Sequence, residues 1–288
     1  MKNIILLLIL LLPSHIFSQT EEWLTIGIVR TDGIIVPTFR YENNQWKKIY
    51  GQKDEFRFYE GFLRKWYFVP FDKDPYYLNV GSLVEYDPDS DISSGYGYLS
   101  DYQRINLTRH IFPIEKVGIC LSKEYPITLF HTIEDSSKVW KEIFNLVSPR
   151  KIEIDTHFMK PENWNKYFGE DHIVDFKNIN LRGTVLDSLG IYYFEVYYPF
   201  GQNECKLVIY CSGWVVNNSN KYKILNDFIG FDDCDSKMLS NIPVTPLFVI
   251  KMNNELYIHL INHSWEGEDY GLWKISQDKI EKMEFYIY

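Results

Sequence analysis

The stretch INHSWEGEDYGLW, residues 261–273, holds the densest set of groups able to do chemistry: His263, Glu266, Glu268 and Asp269, with His259 just upstream. On a helix, two imidazoles four residues apart with a carboxylate three further on would share one face, an arrangement that binds zinc. The neighbouring residues argue for a strand instead. In ELYIHLI, Leu256, Ile258 and Leu260 alternate with Tyr257, His259 and Ile261, and in a strand successive side chains point to opposite faces. Residues four apart along a strand are separated by about 13 Å, too far for two ligands that must each lie about 2 Å from one zinc ion. The expectation is a hairpin with a seven-residue loop and solvated carboxylates.

Three further groups could act on a ligand. In EYDPDSDISSG, Asp87, Asp89 and Asp91 alternate as in the first half of a calcium loop. The EF-hand pattern needs Gly where Ile92 stands and a bidentate Glu where Tyr98 stands, so a calcium loop here would be of another type, and a plain polar loop is the competing reading. GFDDCDSK contributes Asp232 and Asp235. Together with Glu266, Glu268 and Asp269 these are the carboxylates from which a hydrolase could draw an acid–base pair. Trp46, Trp66, Trp265 and Trp273 could stack on sugar rings, although sheets also use aromatics for cross-strand packing. Trp273, inside a strand, is the one whose truncation should be costly. No G-x-S-x-G elbow or H-E-x-x-H pair is present, and Ser212 in CSGW lacks the flanking glycines of a nucleophile turn. GYGYLSD has neither the spacing of a phosphate-cradling loop nor a following helix. No cofactor is expected.

The elements that must position these groups are mostly strands. Asp32-Gly33 and Asn43-Asn44 separate WLTIGIVR, IIVPTFRY and QWKKIY, and such residues favour the positive φ of type I′ hairpins. Near the other end, strands over 246–252, 255–261, 269–275 and 279–285 are joined by short loops in an antiparallel meander. RKWYFVPF, YYLNVGSLVEY, GIYYFEVYYPF and CKLVIYCSGWVV read as strands through their β-branched and aromatic content. Helical spacing occurs in SSKVWKEIFNLVSP, closed by Pro149, and in PENWNKYFG, with Pro161 at its entry and Gly169 at its exit. The fold class is mainly β with one or two short helices. A four-stranded meander fits a β-propeller blade, but no period of about 40–50 residues repeats, and a paired sandwich or barrel-like sheet is the alternative. Residues 19–288 are taken as one β-rich domain with a partly helical segment near 132–180.

The first residues, MKNIILLLILLLPSHIFSQ, carry Lys2 ahead of an apolar run from Ile4 to Leu12. This is the layout of a secretory signal peptide, and the run is short of the ~20 residues that span a bilayer. Cleavage is expected after Ser18, giving a secreted or periplasmic chain with no transmembrane segment. Loss of Lys2 takes the formal charge from −9 to −10, which disfavours nucleic acid as a partner. Of the four cysteines, Cys205 and Cys211 lie in one strand about 20 Å apart and cannot bridge each other. Two disulfide pairings remain open, and four thiols are equally compatible with the sequence.

The segments DGIIVPTFRYENNQW, GFDDCDSK and YIHLINHSWEGEDYGLWKI are similar to exported bacterial β-rich proteins of unassigned function. The resemblance implies export and β structure, and it brings no catalytic residue or ligand. The function expected is a non-catalytic exported binding or envelope-associated module, with a glycan among the candidate ligands. The alternative is a secreted hydrolase of polysaccharide or peptide.

Overall fold

The computed structural model describes residues 23–56, 65–72, 74–86, 95–102, 116–135, 137–153, 161–200, 207–232, 244–264 and 267–285. Among them the chain is mainly antiparallel β. Where the sequence suggests one domain, contacts divide the chain into two compact units, one running to Tyr125 and one spanning Pro126–Tyr286.

The first unit contains β1 (Leu24–Arg30), β2 (Ile34–Glu42), β3 (Gln45–Lys48), a single helical turn at Lys53–Phe56, β4 (Lys65–Pro70), β5 (Tyr76–Tyr86), β6 (Gly95–Ser100) and β7 (Lys116–Leu121). Their order is β1-β7-β4-β5-β6-β2-β3, and β1 also pairs with β2. That extra pairing closes six strands into a ring, with β3 as a flap on β2. Val29, Ile35, Trp66, Phe68, Leu78, Tyr98 and Cys120 form one buried cluster drawn from all six strands of the ring. The GYGYLS segment is a strand, and its glycine has a packing reason. A Cβ on Gly97 would lie 2.7 Å from the Ile35 carbonyl oxygen, so only glycine lets β6 approach β2 this closely.

The second unit begins with β8 (Ile127–Leu129) and β9 (His131–Thr132), followed by α1 (Lys138–Val147), β10 (Arg150–Lys151), α2 (Pro161–Phe168) and β11 (Ile173–Val174). Seven longer strands and one short one complete it: β12 (Asn178–Leu186), β13 (Leu189–Phe200), β14 (Leu207–Asn218), β15 (Lys221–Asp232), β16 (Val244–Met252), β17 (Glu255–Ser264), β18 (Gly267–Ile275) and the short β19 (Ile280–Lys282). With β8 and β9 they form two five-stranded sheets, β15-β14-β13-β12-β9 and β19-β18-β17-β16-β8. The expected meander is present, since β16, β17, β18 and β19 pair consecutively. Its sheet carries β8 as a fifth strand and packs face to face on the other sheet, so the sandwich alternative describes this unit.

The sandwich core joins Leu189, Ile191, Tyr193, Trp214 and Val216 of one sheet to Val249, Ile258, Leu260 and Ile275 of the other. Both helices cover the far face of the β12–β15 sheet. Ile143 and Val147 of α1 and Trp164 and Phe168 of α2 bury against Leu181, Phe194, Val196, Ile209 and Cys211. Local chemistry fixes the helix ends as expected: Ser137 Oγ accepts from Trp140 N at 3.1 Å, and Gly169 takes φ +71° after α2.

Among the described residues, four two-residue turns have positive φ at both positions: Asn43-Asn44, Asp187-Ser188, Ser219-Asn220 and Asn253-Asn254. The two Asn-Asn turns follow from the sequence. Ser188, at φ 69°, is the least suited to its conformation, because a Cβ clashes in the left-handed region at a cost of about 1–2 kcal/mol. Ser188→Gly should therefore stabilise the protein by about 1 kcal/mol after the added chain entropy is subtracted. Urea denaturation checks this, and an unchanged or lower midpoint would contradict it.

Candidate functional site

The stretch around His263 is a hairpin, but its loop is shorter than the sequence implied. The β17–β18 ladder continues through Asn262↔Asp269, His263↔Glu268 and Ser264↔Gly267, so the expected seven-residue loop is corrected: five of its residues, 262–264 and 267–268, are in the strands. Beyond Ile261 the strands carry polar residues on both faces, so the apolar alternation that marks a strand in sequence stops before the pairing does. His259 and His263 lie on one face of β17. His259 is fully buried, stacked on Phe248 with centroids 5.0 Å apart and near Tyr270 at 5.9 Å. His263 Nε2 is 2.8 Å from the Thr245 hydroxyl. Both imidazoles are packed into the sheet separately. His263→Ala removes the hydrogen bond with Thr245 and should cost about 1 kcal/mol, as a thermal melt would show; a loss above about 3 kcal/mol would contradict this placement.

The other candidates fall in different places. Trp66 is 0% exposed inside the barrel cluster and Trp46 is 6% exposed beside Tyr41, with ring centroids 5.0 Å apart. Both are packing residues. Trp273 packs against the sandwich core, 6.0 Å from Trp214. Asp232 ends β15 opposite Val208. Asp87, Asp89, Asp91, Asp235, Trp265 and Glu266 lie outside the described residues. Among the described residues no cluster of three or more His, Cys, Asp or Glu is arranged to hold a metal.

What the structure brings together is one end of the sandwich. Asp187, in the β12–β13 turn, meets Lys251 beside the β16–β17 turn at 2.6 Å, and Lys223 meets Asp278 at 2.9 Å near the neighbouring turns. These bridges mark the turn end. At the opposite end, Val244 N donates to the Tyr193 hydroxyl at 3.2 Å, linking the first residue of β16 to β13 where the apolar core stops.

Beyond Tyr193 the same face of the β12–β15 sheet becomes polar. Glu195 is paired with Ser212, Tyr197 with Tyr210, and Ser212 with Phe228. The Tyr197 hydroxyl donates to Glu195 Oε2 at 3.0 Å. The Tyr193 hydroxyl is hydrogen-bonded with Ser212 and Glu195. The Tyr210 ring lies across Gly230, where a Cβ would be 2.3 Å from it, and 6.2 Å from Phe228, whose own ring is 41% exposed. On the facing sheet, Asn262 and the exposed Asp269 sit on the side that carries Ile258 and Leu260. Burial, then the negative charge of Glu195, push the Tyr193 and Tyr197 phenols above their ordinary range. They stay protonated and serve as hydroxyl donors.

Comparison with protein-family models, curated proteins and solved structures finds no match.

The site therefore stands on its own chemistry. It offers an exposed aromatic face at Phe228, hydroxyls from Tyr193, Tyr197 and Ser212, and the acceptor Glu195. Two sulfur nucleophiles are closed off. Burial pushes the Cys211 thiol up to about 12, with the Asp227 charge adding and Arg150 opposing, and burial raises Cys120 well above its usual value. Sequence inspection identifies the strand GIYYFEVYYPF, but nothing in it shows that Glu195 and Tyr197 lie past the end of the core. The i, i+2 series Tyr193-Glu195-Tyr197 is the signal that could have pointed there.

Proposed function

We propose that the protein is an exported, non-catalytic binding module that takes a hydroxyl-rich ligand of the glycan class on the polar end of the sandwich. The observation that carries this reading is the Phe228 ring beside the Ser212–Glu195–Tyr197 row. Sugar recognition combines a ring that stacks on the apolar sugar face with a few fixed polar groups that sort the hydroxyls. Here Glu195 is held by tyrosine hydroxyls, which suits an acceptor of fixed orientation. The Lys-led apolar leader supports export, and the intact mature protein should lack about its first 18 residues. Recovery of the uncleaved chain from membranes would overturn that part.

A thermal-shift screen of the mature protein against glycans, peptides and divalent metals tests the binding reading, because any ligand of the native state raises stability by RT ln(1 + [L]/Kd). A glycan should raise the melting temperature and be recovered unchanged. Cleavage of the bound glycan or of a peptide would replace this reading with that of a hydrolase.

A further inference from the structure

One row of paired residues crosses the polar end of the β12–β15 sheet: Asn180, Glu195, Ser212 and Phe228, each opposite the next. Glu195 carries the row's charge. Its half-buried carboxylate accepts from the Tyr197 hydroxyl at 3.0 Å and is hydrogen-bonded with the Tyr193 hydroxyl. Both partners are neutral phenols, so they orient the carboxylate without cancelling its charge. Among the described residues Glu195 forms no ion pair. Arg182 is exposed and paired with Tyr193, further toward the core, and the exposed Asp269 of the facing sheet adds negative charge at this end. A carboxylate drawn partly out of water is costly unless a cation or several donors compensate it. It has about four lone-pair sites, so two phenols leave acceptor capacity open. Paired Cα atoms in an antiparallel ladder are about 4.5–5.5 Å apart, which places Glu195 and Phe228 about 10 Å apart across the small Ser212. A cation is attracted to a ring face within about 6 Å of its centroid. The Phe228 ring is 41% exposed, and the Tyr210 ring, 6.2 Å away, extends the aromatic wall.

We infer that the Glu195–Ser212–Phe228 row is a seat for a protonated amine, so that the glycan taken at the polar end carries a free amino group, as a 2-amino sugar does. The inference rests on the glycan reading above and adds the charge of the ligand to it. An ammonium group above Ser212 reaches the carboxylate on one side and the ring face on the other. It donates to Glu195, a charge-assisted hydrogen bond whose acceptor the two tyrosines already hold in place. The Ser212 hydroxyl oxygen is a second acceptor beneath it. Acetylation of the amine removes the positive charge and leaves a single N–H, so the same sugar loses both attractions at once. A neutral glycan keeps only the stacking and the hydroxyl contacts.

The test is calorimetric titration of the mature protein at about pH 6, where a sugar amine is protonated. The probes are glucosamine oligomers, the same oligomers N-acetylated, and ethanolamine as a cation that is not a sugar. The free-amine oligomer should bind about tenfold or more tighter than its acetylated form, and added salt should narrow the gap. Glu195→Gln keeps the shape and still accepts from the tyrosines, and it should close the gap to within about threefold. Phe228→Leu, an independent variant, should narrow it as well, since it keeps apolar bulk and removes the ring face. Equal affinity for the free and acetylated oligomers would overturn the amine seat and leave the glycan reading standing. A preference that survives Glu195→Gln would overturn it too. Binding of ethanolamine without any sugar would overturn the glycan reading and keep the seat, and binding of none of the probes would overturn both.

Discussion

Acidification from pH 6.5 to 4.5 should remove about 2 kcal/mol of stability through His259 alone. The imidazole is fully buried, and burial lowers its pKa from 6.5 to about 3. In the unfolded chain it takes a proton below about pH 6.5; in the folded chain it stays neutral until about pH 3. The unfolded state therefore binds more protons throughout this window, and stability falls as pH falls, by about 1.4 kcal/mol per pH unit for one group. The contribution is fully present above pH 6.5. Glu42 and Glu255 do not mimic the effect: burial pushes Glu42 up but Lys47 and Arg40 together bring it below 4.5, Lys274 and Tyr257 lower Glu255, and both lose their contributions as pH falls below about that value. Denaturant titrations at intervals across the window give the slope. His259→Phe, which keeps a ring against Phe248, should flatten the slope by one proton whatever its effect at pH 7.5. An unchanged slope in that variant would contradict the burial of a neutral imidazole.

Truncating Trp214 to Ala should cost about 3–5 kcal/mol, the range for emptying a buried large aromatic. Trp214 is nearly inaccessible at the centre of the sandwich and contacts rings from both sides: Tyr193 at 5.1 Å, Trp273 at 6.0 Å and Phe130 at 6.1 Å. A domain is typically stable by only about 5–15 kcal/mol, so the variant should sit close to unfolding at 37 °C. Trp273→Ala should cost less, since Trp273 is only half-buried and packs at the margin of the same cluster. Urea midpoints of the two variants check the ranking. Equal losses would show that the two rings carry the core together.

The parts of this fold that were legible in the sequence are those with local causes. Asn43-Asn44 and Asn253-Asn254 announce their turns because Asn tolerates positive φ. The Asp187-Ser188 and Ser219-Asn220 turns adopt the same geometry with a serine that gives no such sign, and there the strands on either side impose it. The helix around Ile143 and Val147 shows its apolar spacing and its serine cap. β15, KYKILNDFIGFD, was hidden because it is an edge strand whose exposed positions are polar or charged apart from Phe228, and its register slips at Leu225 opposite Trp214/Val215. The division into a ring and a sandwich is written in pairings such as β1 with β7 and β2 with β6, which join residues far apart in sequence. The candidate site was illegible for the same reason. The strand that carries Glu195 reads clearly, but the residue at which its face leaves the core is set by Val244 and the sheet above it.

The most direct test of the ligand end is calorimetric titration of a glycan taken from the screen into three proteins. These are the wild type, a Glu195→Gln/Phe228→Ala variant at the polar end, and a Lys251→Ala variant at the turn end. Binding should weaken at least tenfold in the polar-end variant, a loss of about 1.4 kcal/mol, and be unchanged in the turn-end variant. Wild-type affinity in the polar-end variant, with its fold intact by circular dichroism, would contradict the account.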